Sequence, residues 1–218
     1  MPTDLPLTLD SGTALWVDAA GTLLHPARPV ADVYAEHAGA LGHRVESDEV
    51  ASRLGPAMRT HRPLRSGDRT WRRYWDAVVS TSIGADDPAC FEQLYAHYER
   101  PEAWRVEPDA RECLGLLRAR GVRLALISNW DDRLRSTLEG LGLVSVFDAL
   151  LISGEEGVEK PDAEIFLRAA HRLRIAPERS LMVGDDPDTD AVGARSVGAF
   201  VIEFGSEING FRDLLAAS

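Results

Sequence analysis

The chain has 218 residues, 35 acidic against 24 basic side chains and a formal charge of −11, with 44% hydrophobic residues. That length and apolar content suit one sizeable core with at most a small appendage. The acidic balance argues against a nonspecific nucleic-acid binder, and no apolar run approaches the ~20 residues that cross a bilayer. The first residues lack the basic and apolar segments of a secretory signal. Cys90 and Cys113 stand far apart with no metal-ligand spacing. The expectation is a cytoplasmic, disulfide-free protein, without a membrane or nucleic-acid partner.

Taken in chain order, the first predicted strand is the apolar run 14–17, which ends at Asp18 in "WVDAAGTLL". A carboxylate at the tip of a buried strand is costly unless it is paired or used. The segment 28–104 then reads as helical, with predicted helices at 31–42, 47–61, 68–84 and 87–100 and no clear strand. From residue 105 the pattern alternates. A helix at 108–120 leads into strand 122–128, helix 131–143, strand 147–153 and helix 162–175. Strand 180–185, a helix opening at 188–198, strand 199–204 and a last helix at 208–217 complete it. Strands alternating with helices predict an α/β fold, a doubly wound parallel sheet. An all-helical insertion after the first strand reads as a cap over the sheet's carboxyl edge. The expected domains are a core of 1–27 with 105–218 and a cap of 28–104.

Charge is unevenly spread along this plan. Residues 51–75 hold seven arginines (53, 59, 62, 65, 69, 72 and 73) against one acid, Asp68. Guanidinium forks could recognise an anionic substrate there. The plainer reading is a solvated helix face with one or two arginines toward the cleft. "WRRYW" (71–75) likewise reads as helix packing rather than a base-stacking platform. Lys160 is the single lysine of the chain, at a place where arginine would poorly replace a compact point charge.

In open α/β sheets the ligand site lies beyond the carboxyl ends of the strands. Asp18, Ser128 and Asp185 each end a predicted strand, so the fold should gather them at one edge, within reach of Lys160. A carboxylate nucleophile, a hydroxyl, an ammonium and the acidic run "GDDPDTD" (184–190) then converge. A carboxylate can attack phosphorus and form an aspartyl-phosphate. Asp18 and Asp185, with a backbone carbonyl and waters, suit Mg2+.

These residues resemble the haloacid dehalogenase (HAD) superfamily of hydrolases with a helical C1 cap. The resemblance rests on four motifs in order, "DAAGTL" (18–23), "LISN" (126–129), "KPD" (160–162) and "VGDDPDTD" (183–190), and covers nearly the whole chain. It implies a Rossmann-like core, Asp18 as nucleophile and Mg2+ ligand, and the Ala20 carbonyl as a second ligand. It implies that Ser128, with Asn129 and Thr22, holds phosphoryl oxygens and that Lys160 neutralises the nucleophile and the transferred group. Asp185 would bind Mg2+, and Asp190 would support Lys160 or the metal's waters. Asp186 and Asp188 are expected as turn or helix-start acids.

The chain departs from the usual phosphatase pattern at Ala20, where the resemblance implies a second aspartate, the general acid and base. Losing such a group costs about 10²–10⁴-fold. His25 could stand in for it, although a loop histidine without a role is commoner. Haloacid dehalogenases also lack the second aspartate, but they lack the metal and usually carry Ser or Asn types in the fourth motif. Phosphonoacetaldehyde hydrolases need a cap lysine, and residues 28–104 contain none. "SNWD" (128–131) resembles the HAD-like hydrolase domain-containing branch, whose members carry an unorthodox residue at the Ala20 position. The expected function is a Mg2+-dependent phosphatase acting on a small anionic metabolite, as a monomer or homodimer. The alternatives are a 2-haloacid dehalogenase and an impaired HAD protein that acts by binding a ligand or partner.

Overall fold

The first strand, β1 (Ala14–Val17), is buried at every position, which is why it contains no charge before Asp18. The computed structural model describes residues 6–65 and 70–215. After β1 come β2 (Leu24–Pro26) and the helices α1 (Val30–Ala40), α2 (Ser47–His61), α3 (Thr70–Ile83) and α4 (Pro88–His97). The short β3 (Trp104–Val106) precedes α5 (Ala110–Ala119), β4 (Arg123–Ser128), α6 (Arg133–Gly140) and β5 (Ala149–Ile152). The chain ends with the single turn α7 (Ser153–Glu156), α8 (Ala163–Leu173), β6 (Ser180–Gly184), α9 (Val192–Ser196) and β7 (Phe200–Glu203).

The five longer strands form one parallel sheet in the order β5-β4-β1-β6-β7, and β2 pairs with β3. Such an order, with β1 central, requires crossover helices on both faces. On one face Trp16, Ile127, Leu151 and Met182 meet Ile165, Phe166, Ala169 and Leu173 of α8. The buried positions of α8 recur at three- and four-residue steps, the stripe of an amphipathic helix. Phe166 is fully buried and lies 5.9 Å from the Trp16 ring. Burial of each such side chain contributes about 1.5–3 kcal/mol. Asp162 starts α8 by accepting from the Glu164 N–H at 2.9 Å. The helix α5 also packs against β4.

The chain divides into two compact units, Met1–His25 with Arg105–Ser218, and Pro26–Trp104. The second unit is helical between its short end strands. Val33, Tyr34, Val50, Val79, Ile83, Phe91 and Leu94 form one cluster, and Ala57, Trp71, Tyr74 and Val78 another. Asp87 begins α4, its carboxylate accepting from the Ala89 and Cys90 N–H groups. Within "WRRYW", Trp71 and Tyr74 are buried while Arg72 and Arg73 are exposed, as helix packing requires. Arg53 bonds Glu49 one turn back, and Arg72 pairs with Glu92. Asp68 and Arg69 lie outside the described residues.

Two predicted elements differ in form. The last helix, expected at 208–217, is a 3-10 turn at Phe211–Leu215. Its buried residues, Phe211 and Leu214, are three apart, which suits the three-residue turn better than an α-helix. Residues 216 and 217 of that expectation lie outside the described residues. The helix expected at 188–198 opens with a wide, π-type turn, Pro187–Ala191, before α9. That turn carries Thr189 and Asp190 into the interior. Among the described residues no helix is long and apolar enough to cross a membrane.

Candidate active site

The sheet register assembles the site. Val17 is level with Leu126 on one side and Val183 on the other, and the Asp18 N–H extends the ladder to the Val183 carbonyl at 2.9 Å. Asp18 therefore leaves the end of β1 between β4, which ends at Ser128, and β6, which ends one residue before Asp185. The loop after Asp18 is held by its own backbone. Leu23 and Leu24 both donate to the Ala19 carbonyl, and Gly21 donates to that of Leu24. Gly21 has φ +84, and a Cβ there would run into the Asp185 carboxylate. Only glycine lets this turn and Asp185 share the space. Gly184 is required for a similar reason, since a Cβ there would collide with the Asp190 carboxyl.

Lys160 sits between two of these acids. Its Nζ donates to Asp18 Oδ1 and to Asp190 Oδ1, both at 2.5 Å, and all three residues are buried. Asp190 Oδ2 also accepts from the Asp186 N–H at 3.2 Å. Asp185 is exposed, and Thr22 donates to its Oδ1 at 3.3 Å. Burial raises the Asp18 carboxyl to about 7. Lys160 pulls it back, while Asp190 and Asp185 add to the rise. Asp185 is raised too, by partial burial and by the Asp190 charge. For Lys160, burial works against the charge, but Asp18 and Asp190 outweigh it and hold the ammonium up at about 12.

Oxygens of Asp18, Asp185 and Asp190 lie within 4.8 Å of one another. One ammonium cannot balance three carboxylates at that spacing. Hard oxygen donors with excess negative charge are the set that suits Mg2+, so the residues fit a divalent cation.

The remaining predicted residues fall at the same edge with different partners. Ser128 is buried, and its hydroxyl makes no hydrogen bond to another described residue. Asn129 instead uses its amide on Lys160. Its Nδ2 donates to the Lys160 carbonyl at 2.9 Å, and its Oδ1 accepts the Lys160 N–H at 2.7 Å. Ala20 is exposed and offers only backbone. Asp186 caps the wide turn, accepting from the Asp188 N–H at 2.9 Å, and both are exposed. His25 Nε2 lies 2.7 Å from Glu107 Oε2.

Two features lie outside what spacing alone indicated. Asp131 and Arg133 form a buried pair directly after the second motif, through Nε at 2.9 Å and a terminal guanidinium nitrogen at 2.7 Å. Ser153 braces Trp130 by bonding both its N–H and its carbonyl. The Asp-x-Arg spacing was visible, but its burial was not. The Ser153 and Asn129 bonds join residues 23 and 31 apart through backbone groups, and no residue pattern marks them.

A parallel α/β core with an aspartate at the tip of its central strand, a buried lysine beside it and a helical insertion defines a HAD-type hydrolase. The chain belongs to that family: residues 13–198 match haloacid dehalogenase-like hydrolase. It is 36% identical over 197 residues to the haloacid dehalogenase-like hydrolase domain-containing protein 3 of Bos taurus, covering 83% of this chain and 77% of that protein. Among solved structures it is similar to a HAD phosphatase from Thermococcus onnurineus (TM-score 0.63, 25% identity, 88% of this chain and 86% of that one). It is equally similar in sequence to a dehalogenase solved with an intermediate complex (TM-score 0.68, 25% identity, 92% and 88%). These two neighbours carry different chemistries on one fold, so the residues of the site must discriminate between them.

Proposed function

We propose that this hydrolase is a Mg2+-dependent phosphatase that cleaves a small phosphorylated metabolite through an aspartyl-phosphate on Asp18. The observation that carries the reading is the clustering of Asp18, Asp185 and Asp190 oxygens within 4.8 Å of one another, with one ammonium paired to only two of them. A halide-releasing enzyme has no use for a cation, and three carboxylates this close are unfavourable without one. Mg2+, held by Asp18, Asp185 and the Ala20 carbonyl, would supply charge neutralisation of the phosphoryl oxygens and the carboxylates.

In this reading an Asp18 oxygen attacks phosphorus while the bond to the leaving oxygen breaks and its electron pair leaves with that oxygen. Water then attacks the acyl phosphate and releases Asp18 and inorganic phosphate. Lys160 keeps Asp18 ionised and oriented, and Asp190 holds Lys160 from the other side. Ser128, with its hydroxyl uncommitted, receives a phosphoryl oxygen, and Thr22 steadies Asp185. No side chain at residue 20 can protonate the leaving oxygen, so good leaving groups are preferred, as in acyl and aryl phosphates. The two buried, unpaired cysteines support a cytoplasmic setting.

The test compares turnover of acetyl phosphate with that of an alkyl phosphate, with Mg2+ and with chelator. Acetyl phosphate should be hydrolysed faster, and only with Mg2+. Equal rates on both would refute the leaving-group argument, and halide release from a 2-haloacid in chelator would establish a dehalogenase instead. Ala20 itself favours one other reading, a protein that binds without turnover. Ala20→Asp separates the two. A gain of about 10²-fold or more on the alkyl phosphate marks a phosphatase missing one part, and negligible hydrolysis of every phosphate together with no gain from the substitution marks a binding protein.

A further inference from the structure

Lys160 has to place one nitrogen 2.5 Å from each of two buried carboxylates, at the end of a side chain with four rotatable bonds. Its Cα lies in the irregular stretch between α7 and α8, outside any helix or strand. The Asn129 side chain meets it there from the end of β4. The two bonds between the Asn129 amide and the Lys160 backbone reproduce the donor and acceptor pattern of one rung of a β-ladder. They couple the loop that bears the lysine to the strand that ends in Ser128, level with the nucleophile's strand.

From this geometry we infer that Asn129 is a positioning residue for Lys160 rather than a contact for the phosphoryl group. An asparagine amide presents one acceptor and two donors, and here the acceptor and one donor are committed to Lys160. Neighbouring Ser128 points the other way in this respect, because its hydroxyl is uncommitted. The division of labour along the second motif is then simple. Ser128 meets substrate, and Asn129 sets the position from which the lysine reaches Asp18 and Asp190. An aspartate at 129 would keep the acceptor for the Lys160 N–H but bring a second oxygen against the Lys160 carbonyl. A leucine or alanine would release both bonds.

The inference rests on the phosphatase reading for its kinetic arm, and the test has a second arm that does not. Lys160 is the only lysine in the chain, so full-length protein grown with isotopically labelled lysine reports a single residue. In the presence of Mg2+, Asn129→Ala should shift both the backbone amide and the side-chain ammonium resonances of Lys160. It should also lower kcat on acetyl phosphate by about 10–100-fold, the usual cost of misplacing a catalytic group by about 1 Å, with KM little changed. A rise in KM with kcat intact and the ammonium resonance unmoved would assign Asn129 to substrate and overturn the inference. So would an ammonium resonance and kcat that are both unchanged. If Asn129→Ala fails to fold, Asn129→Asp is read by the same two measurements. Absence of turnover in the unaltered protein would overturn the phosphatase reading, and the resonance shift would still decide the positioning role.

Discussion

Replacing Lys160 by methionine keeps most of the stem and removes the one charge between Asp18 and Asp190. In the intact protein Asp18 moves from 3.8 to about 7, chiefly through burial, with Lys160 opposing the rise. Because the folded value is the higher one, the folded state binds the extra proton between about pH 4 and 7. Stability is lost as pH rises through that window. At 1.36 kcal/mol per unit, ionised Asp18 costs the folded state on the order of 4 kcal/mol at pH 8. Lys160 opposes that cost. With its pKa raised to about 12, it stays protonated throughout pH 5.5 to 8, so its own titration adds no pH dependence there and the dependence comes from Asp18. Lys160→Met therefore leaves two buried carboxylates facing each other, and removing one partner of such a pair costs about 3–5 kcal/mol. At pH 5.5 Asp18 escapes most of that cost by taking a proton. Urea unfolding in chelator, at pH 5.5 and pH 8, measures both. The expected loss is about 3–5 kcal/mol at pH 8 and clearly smaller at pH 5.5. An equal loss at the two values, or one under about 1 kcal/mol at pH 8, refutes the electrostatic account of this triad.

Mg2+ should raise the melting temperature, and its apparent affinity should fall about tenfold per unit below pH 7, since Asp18 must release its proton to ligate. Asp185→Asn should abolish the shift in calorimetric titration while the protein stays folded; an unchanged Mg2+ affinity would remove Asp185 from the ligand set. In the helical unit, Tyr74→Ala should cost about 3–5 kcal/mol, because Tyr74 is buried with Trp71 and Val78. Arg73→Ala, at an exposed position, should change stability by no more than about 0.5 kcal/mol, and a large loss there would contradict the packing reading of "WRRYW".

The edge of the sheet was legible because its signals are local. Strand 14–17 stops at an acid, the later strands alternate with helices, and register then brings Asp18, Ser128 and Asp185 together without any further information. Lys160 was legible by scarcity, as the one lysine among many arginines. What was not legible depends on backbone partners and on shared volume. Asn129 and Lys160 are joined by a side chain meeting a backbone, which no pairing of residue types announces. Gly184 looked like an ordinary motif glycine, yet it is fixed by the carboxyl of Asp190, six residues later, lying across it. The wide turn at Pro187–Ala191 reads as plain helix until one asks how Asp190 turns inward toward Lys160.

Position 20 shows the limit of that legibility from the other side. The turn that follows Asp18 is closed by the Ala19 carbonyl, by the Gly21 N–H and by a bridge between Ala20 and Leu24. None of these uses a side chain at residue 20, which is exposed. The loop that would present a carbonyl to a cation is thus complete without the acid that would protonate a leaving group. In the proposed function, metal binding and acid catalysis would be separable at this residue, because one would belong to the backbone and the other to the side chain. An alanine here then leaves the fold, the proposed nucleophile and the lysine untouched. Under that proposed function, a gain in turnover of an alkyl phosphate by Ala20→Asp, with melting temperature and Mg2+ affinity unchanged, would report on proton transfer; a gain accompanied by a changed Mg2+ affinity would not.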